Sequence, residues 1–142
     1  MNKMTKGPIV IVEDDEDDRE IYAEAIKELG ITNELIFFEN GQKALEYLSE
    51  TEDQPFIIIS DINMPVMNGL ELKKQIQDDS YLSAKGIPFV FISTNSSNVS
   101  VRHAHALSVQ GFFQKPLNIT DWNLALRTLF NYWGLCKHIN NT

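Results

Sequence analysis

The sequence predicts an α/β domain built on a doubly wound parallel sheet, because short apolar runs alternate along the chain with segments of helical periodicity. The runs carry too few polar positions for a sheet with one face in water. We therefore expect strands that are buried on both faces, as in parallel sheets. The predicted strands are residues 8–12, 35–38, 56–60, 89–92 and 112–114.

Helices are predicted between the strands from apolar spacing and from residues that favour helix ends. After the first strand, residues 15–18 supply capping oxygens and negative charge, and Gly30 is suited to the helix end. The spacing predicts five βα units in all. The later helices are predicted to begin at Asn40-Gly41, after the loop 62–69, at Asn98 or Ser100, and near Thr120-Asp121.

Length and composition predict one globular domain over residues 1–142, with a core from about residue 8 to 136 and no output domain. A formal net charge of −8 disfavours nucleic acid and anionic membrane as partners, so a protein partner is expected. The sequence shows neither a signal peptide nor an apolar run of membrane-spanning length. Because Cys136 is the single cysteine, we expect a cytoplasmic protein without disulfides.

Reactive side chains follow four of the predicted strands. Glu13 and Asp14 follow the first, Asp61 the third, Ser93 the fourth and Lys115 the fifth. In open parallel sheets the ligand site lies beyond the carboxyl ends of the strands, so these side chains are expected to converge on one crevice. Hard oxygen ligands suit Mg²⁺, and a lysine beside them suits a phosphoryl group.

Each of these residues also has a simpler interpretation. Asp14 could cap the following helix, Ser93 could be a strand-end hydroxyl bonded to the backbone, and Lys115 could be a surface lysine. We interpret residues 15–18 as a solvated helix start, because charge runs that open helices usually face water. Asp61 is harder to explain in this way, since it follows three isoleucines and precedes no obvious helix start.

Four motifs mark the strand ends: VEDD at the first, SDINMPVMNGLE around Asp61, FIST at the fourth and QKP at the fifth. In combination they resemble the receiver domain of bacterial two-component response regulators, of the stand-alone, chemotaxis-regulator-like kind. The resemblance extends from about residue 8 to residue 136. It implies a flavodoxin-like fold with strand order 2-1-3-4-5 and helices on both faces of the sheet.

The resemblance also implies how the acidic residues work. Asp61 corresponds to the phosphoacceptor, and Asp14 is expected to bind Mg²⁺ directly. Glu13 is expected to bind the ion through water, and Asn63 through its backbone carbonyl. Lys115 is expected to bind a phosphoryl oxygen.

Three further residues correspond to the family's switch positions. Ser93 is identified as the switch hydroxyl because it lies 22 positions before Lys115, the usual separation in the family. Thr94 occupies the next position, which is usually smaller. Phe112 stands where the family often has a switch aromatic, although it can equally be a core phenylalanine.

The implied function is Mg²⁺-dependent transfer of a phosphoryl group to Asp61 from the phosphohistidine of a sensor histidine kinase or histidine phosphotransfer protein. Output would follow from phosphorylation-dependent protein–protein interaction, and the only catalysis would be that of the protein's own phosphorylation and dephosphorylation. An alternative is a phosphorelay intermediate or phosphate sink. A haloacid-dehalogenase-like phosphohydrolase is less favoured, because that family has a second acid where Asn63 stands.

The last helix carries more apolar side chains than one face can bury. Its aromatic end, with Phe130, Tyr132, Trp133 and Leu135, is expected either to form a partner or homodimer surface or to lie under a wrapped carboxyl-terminal tail. We expect Phe112 to lie on the same side of the sheet as this helix. His103 and His105 are expected to be ordinary surface residues.

Overall fold

The computed structural model describes residues 7–137, so both ends of the predicted domain 1–142 lie outside the described residues. All five predicted strands form and pair in parallel in the order β2-β1-β3-β4-β5, which confirms the fold class and the implied strand order. The strands are β1 Ile9–Val12, β2 Leu35–Phe38, β3 Ile57–Ser60, β4 Phe89–Ser93 and β5 Gly111–Gln114.

Six helices connect and cover the strands in the described part of the chain. Five of them were predicted, and the sixth is the short α4, which lies directly after α3. Only Leu82 of α4 is buried, so its six residues carry too little periodicity to be detected. The helices are α1 Glu16–Glu28, α2 Gly41–Glu50, α3 Gly69–Asp78, α4 Ser80–Lys85, α5 Asn98–Ala106 and α6 Ile119–Leu135.

Helix ends follow capping chemistry, with some differences from the expected residues. Gly30 follows the end of α1 with a positive φ of 78°, as predicted for a residue of this type. The predicted caps of α5 were wrong, because the side chain of Ser97 accepts the backbone N–H of Ser100. Helix α6 is capped by Asn118, slightly before the predicted start.

The sheet separates two hydrophobic clusters. Helices α1 and α6 cover one face, where Tyr22 and Trp122 pack edge to face at 5.2 Å between ring centroids. Helices α2, α3, α4 and α5 cover the other face. All residues of β1, β3 and β4 are buried, which explains their continuous apolar character.

Phe112 lies on the opposite face of the sheet from α6, so its predicted side was wrong. It packs in the cluster under helices α2 to α5, with its ring centroid 5.9 Å from that of Phe91. Phe113 packs against the cluster under α1 and α6. Successive strand residues point to opposite faces of the sheet. The expectation placed Phe112 on the face that α6 covers, but Phe113 is the residue on that face.

The aromatic end of α6 is only partly exposed. Phe130 is buried in the core, whereas Tyr132 and Leu135 are 61% and 90% exposed. The carboxyl-terminal tail that was expected as an alternative cover lies outside the described residues.

The start of α3 approaches the backbone of the β3–α3 loop closely. The N–H of Gly69 donates a hydrogen bond to the carbonyl of Ile62 at 2.8 Å. A Cβ atom at Gly69 would lie 2.1 Å from the carbonyl oxygen of Asp61 and 2.8 Å from the ring of Phe91. Glycine is therefore required here by close approach, and it fixes where the chain leaves β3.

Replacing Gly69 by alanine should displace this loop and lower the free energy of unfolding by roughly 1–3 kcal/mol, the usual range for overpacking. Gly111→Ala is the matched control, because a Cβ there would meet only ordinary contacts at 3.8 Å. Urea unfolding of both variants measures the difference. Equal stabilities of the two variants would contradict the close approach.

Candidate functional site

The candidate site forms where the carboxyl ends of β1, β3 and β5 meet. Glu13 and Asp14 follow β1, Asp61 follows β3 and Lys115 follows β5. The backbone holds these ends in place, since the N–H of Asp61 donates to Val12 and that of Lys115 donates to Ser93, both at 2.9 Å. The strand pairing thus continues directly into the site.

Three carboxylates form a compact acidic cluster. One oxygen each of Glu13, Asp14 and Asp61 lies within 4.8 Å of the others, close enough to share one metal ion. Glu13 and Asp61 are buried, whereas Asp14 is exposed. The alternative that Asp14 caps α1 is wrong, because Asp15 is the cap and accepts the backbone N–H of Asp18 at 3.1 Å.

The carboxylate of Asp61 is held on both oxygens. Its Oδ1 accepts the backbone N–H of Ile62 at 2.7 Å, and its Oδ2 accepts a hydrogen bond from the Lys115 ammonium at 3.1 Å. Both contacts fix the orientation of the carboxylate. The Asp61 carboxylate is therefore preorganised rather than freely rotating.

Lys115 binds three carboxylates at once. Its Nζ lies 2.7 Å from Asp18, 3.0 Å from Glu13 and 3.1 Å from Asp61. Its side chain is only 11% exposed, so the alternative of a surface lysine is wrong. These three contacts use all three N–H donors of the ammonium group.

Asp18 is the site residue that the sequence analysis missed. It was interpreted as part of a solvated helix start, and that holds for Asp15, Glu16 and Asp17, which are exposed. Asp18 instead lies over the crevice, with its side chain 19% exposed. The available signal was the helix register, because a cap at Asp15 places Asp18 at the third helical position, one turn above the strand end.

Burial and charge shift two pKa values in the site. Burial raises the pKa of Glu13 to about 7, and the charge of Asp61 adds to this, while Lys115 opposes it. For Lys115 burial acts to lower the pKa, but the hydrogen bond to Asp18 and the charge of Glu13 outweigh it. The net effect raises the pKa of Lys115 above its ordinary value.

The site carries excess negative charge. Glu13, Asp14, Asp18 and Asp61 supply four carboxylates around the single ammonium of Lys115, which leaves three negative charges when all are ionised. Oxygen donors of this type suit a hard divalent cation. The three-acid cluster therefore fits a metal ion by its donor atoms and by its charge.

The fourth strand brings Ser93 close to this edge of the sheet. Ser93 is fully buried, and its Oγ accepts the backbone N–H of Asn95 at 3.1 Å, as expected for a strand-end hydroxyl. The side-chain amide of Asn95 donates to Asn63 at 3.3 Å and so links the loops after β3 and β4. Thr94 and Asn63 are exposed. The switch roles of Ser93, Thr94 and Phe112 stay predictions.

Two other expectations concern the surface. His103 and His105 are exposed on α5, as expected of surface residues. Among the residues that the structure describes, none of the helices combines the length and apolar character that crossing a bilayer requires.

Comparison with known proteins assigns the site to a family. A model of the response regulator receiver domain matches residues 9–127, which include every residue of the acidic cluster and Lys115. The chain is 32% identical over 108 residues to chemotaxis protein CheY1 of Helicobacter pylori strain 26695, covering 76% of this chain and 84% of CheY1.

Solved structures show the same architecture. The phosphorylated cyanobacterial phytochrome response regulator RcpA superposes with a TM-score of 0.82 at 25% identity, over 89% of this chain and 93% of RcpA. The Mn²⁺-bound form of response regulator Rcp1, a protein of Synechocystis sp. PCC 6803, superposes with a TM-score of 0.81 at 26% identity, over 93% and 97% of the two chains.

The raised pKa of Glu13 predicts a pH dependence of stability for the metal-free protein. A carboxyl whose folded pKa lies above its unfolded value of 4.5 stabilises the fold fully below pH 4.5, and this contribution is lost as the pH rises through about 7. At about 1.4 kcal/mol per pKa unit, the loss is up to about 3 kcal/mol. Glu13→Gln stays neutral, so its stability relative to wild type should rise by that amount between pH 4.5 and pH 8.

Urea unfolding in the presence of a chelator, at both pH values, measures this difference. Titrating groups that do not interact with Glu13 are common to the two proteins and cancel in the comparison. Asp17→Asn is the control, because Asp17 is an exposed acid in the first turn of α1 and its replacement should leave the pH dependence unchanged. Parallel pH dependences of wild type and Glu13→Gln would contradict the assignment.

Proposed function

The chain belongs to the response regulator receiver domain family, and we propose that it accepts a phosphoryl group on the carboxylate of Asp61. The donor is the phosphohistidine of a sensor histidine kinase or of a histidine phosphotransfer protein. The observation that carries the proposal is the placement of Asp61 between a carboxylate cluster suited to a cation and an ammonium group 3.1 Å away.

In the transfer, an oxygen of Asp61 attacks phosphorus as the nucleophile. A bond from that oxygen to phosphorus forms while the bond from phosphorus to the histidine nitrogen breaks, and the imidazole leaves with the electron pair. Phosphoryl transfer depends on positioning and on neutralisation of charge. The fixed carboxylate of Asp61 supplies the positioning, since both of its oxygens are held by hydrogen bonds.

A divalent cation, Mg²⁺ in our proposal, fits the oxygen donors of Asp14, Asp61 and Glu13, and when bound it would neutralise charge on the transferring oxygens. We assign Asp14 to direct coordination, Glu13 to coordination through water and Asn63 to coordination through its backbone carbonyl. The exposure of Asp14 and the burial of Glu13 agree with an ion that enters from solvent on the Asp14 side.

Lys115 is positioned to receive the phosphoryl group. Before transfer, one of its N–H donors binds Asp61 Oδ2. Phosphorylation of Asp61 converts the carboxylate to an acyl phosphate. The carboxyl oxygens then carry no charge, and the phosphoryl group adds about two negative charges. The same donor then turns to a phosphoryl oxygen, so the ammonium offsets the new charge without leaving its place.

The output we propose is a change in protein–protein interaction, because receiver domains are signalling domains. Ser93 and Phe112 would respond to the new charge through side-chain movement and packing, with Thr94 controlling access to the phosphoryl group. The exposed end of α6, with Tyr132 and Leu135, offers apolar surface for a partner or a second copy. A relay or phosphate-sink role uses the same site, and transfer onward to a second histidine protein would identify it.

Incubation of the protein with acetyl phosphate and Mg²⁺ should add one phosphoryl group, measured as intact mass. Asp61→Asn should abolish the addition, because the amide is not a nucleophile for phosphorus, and a chelator should abolish it in the wild type. Asp17→Asn, which removes an exposed acid from the first turn of α1, is the control and should be phosphorylated normally.

Two results would contradict the proposal. Stoichiometric phosphorylation of Asp61→Asn would place the phosphoryl group on another residue. Phosphorylation that continues unchanged with chelator would remove the metal from the reaction.

A further inference from the structure

We propose that Asp18 is a positioning residue for Lys115, which it holds over Asp61 before and after phosphorylation. The proposal rests on the proposed function, because it gives Asp18 a part in the same reaction. Asp18 makes the shortest of the three contacts to the ammonium, 2.7 Å, and both side chains are largely buried. Asp18 is not one of the three acids that lie close enough together to bind the proposed cation.

The position of Asp18 separates it from the metal-binding acids. The cluster within reach of one ion consists of Glu13, Asp14 and Asp61, all at the ends of strands. Asp18 reaches the site from the first turn of α1 and contacts the ammonium of Lys115. Asp18 therefore acts on the position of Lys115 rather than on binding of the metal ion.

Helix α1 is firmly placed for this role. The side chain of Asp15 accepts the N–H of Asp18 at 3.1 Å, which fixes the backbone that carries the carboxylate. One residue later, Nη1 of Arg19 donates to the backbone carbonyl of Glu13 at 2.7 Å and ties the helix to the end of β1. The carboxylate of Asp18 is thus presented from a rigid element.

The three partners of Lys115 differ in what happens to them during the reaction. Asp61 loses its negative charge when it is phosphorylated, and Glu13 is shared with the proposed cation. Asp18 alone among these three keeps both its charge and its single contact throughout. A lysine side chain has many rotamers, and a charged contact that persists keeps the ammonium within reach of the phosphoryl oxygens.

Loss of Asp18 should therefore slow phosphorylation through Lys115. We expect Asp18→Ala to lower the rate with acetyl phosphate and Mg²⁺ by about tenfold or more, since tenfold is the lower end of the range for loss of one hydrogen bond to a charged group. Asp18→Asn retains an acceptor oxygen and should recover part of the rate. Asp17→Ala, an exposed neighbour in the same turn, is the matched control and should keep the wild-type rate.

A double-mutant cycle distinguishes positioning from a general effect on the helix. In a Lys115→Ala background, Asp18→Ala should change the rate less than about twofold, because the residue through which it acts is absent. An effect of equal size in both backgrounds would overturn the proposal and assign Asp18 to helix stability. An unchanged or faster rate of Asp18→Ala in the wild-type background would also overturn it.

A second measurement does not depend on the reaction rate. With ¹³C-labelled lysine, NMR relaxation of the Lys115 Cε methylene should show a restrained side chain in the wild type and a mobile one in Asp18→Ala. Equal restraint in both proteins would overturn the proposal. If the wild-type protein takes up no phosphoryl group at all, both the proposed function and the role of Asp18 are refuted. If only the comparisons of the Asp18 variants fail, the role of Asp18 is refuted and the phosphorylation of Asp61 still stands.

Discussion

The site depends on one buried ammonium that holds together carboxylates from three parts of the chain. Lys115 contacts Glu13, Asp18 and Asp61, which are between 54 and 102 positions away in the sequence. Without this positive charge the acids would repel one another in a region with little water. The pairing therefore lets the fold bring a nucleophilic carboxylate and the candidate ligands of a cation to one point.

The parallel sheet makes this pairing possible. Val12 pairs with Ser60, so β1 and β3 end at the same level. Ser60 pairs with Phe91, so β4 and β5, whose last residues Ser93 and Gln114 pair with each other, extend two residues further. The residues that follow β1, β3 and β5 come out at the same edge of the sheet. Because Gly69 has no Cβ atom, the start of α3 can pack directly against the backbone of Asp61. Packing on both faces of the sheet fixes the strands, and the positions of the strand ends determine the geometry of the site.

The strands and the cluster of Glu13, Asp14, Asp61 and Lys115 could be predicted because their signals are local: apolar runs followed by reactive residues at strand ends. The contact between Asp18 and Lys115 was missed, because a charge run at a helix start indicates which carboxylate turns inward only once the cap at Asp15 sets the helix register. Helix α4 escaped detection because it buries a single leucine. Phe112 was assigned to the wrong face because the alternation along β5 depends on a register that the sequence leaves open.

We propose that Lys115 exchanges the Asp61 carboxylate for a phosphoryl oxygen while it stays in place. The decisive experiment is a crystal structure of the protein with Mg²⁺ and beryllofluoride, which mimics the phosphoryl group. We expect beryllium bonded to an Asp61 oxygen, a fluoride at roughly 2.7–2.9 Å from Lys115 Nζ as in a charge-assisted hydrogen bond, and the contact to Asp18 retained. An adduct at Asp61 with Lys115 turned away into solvent would contradict it.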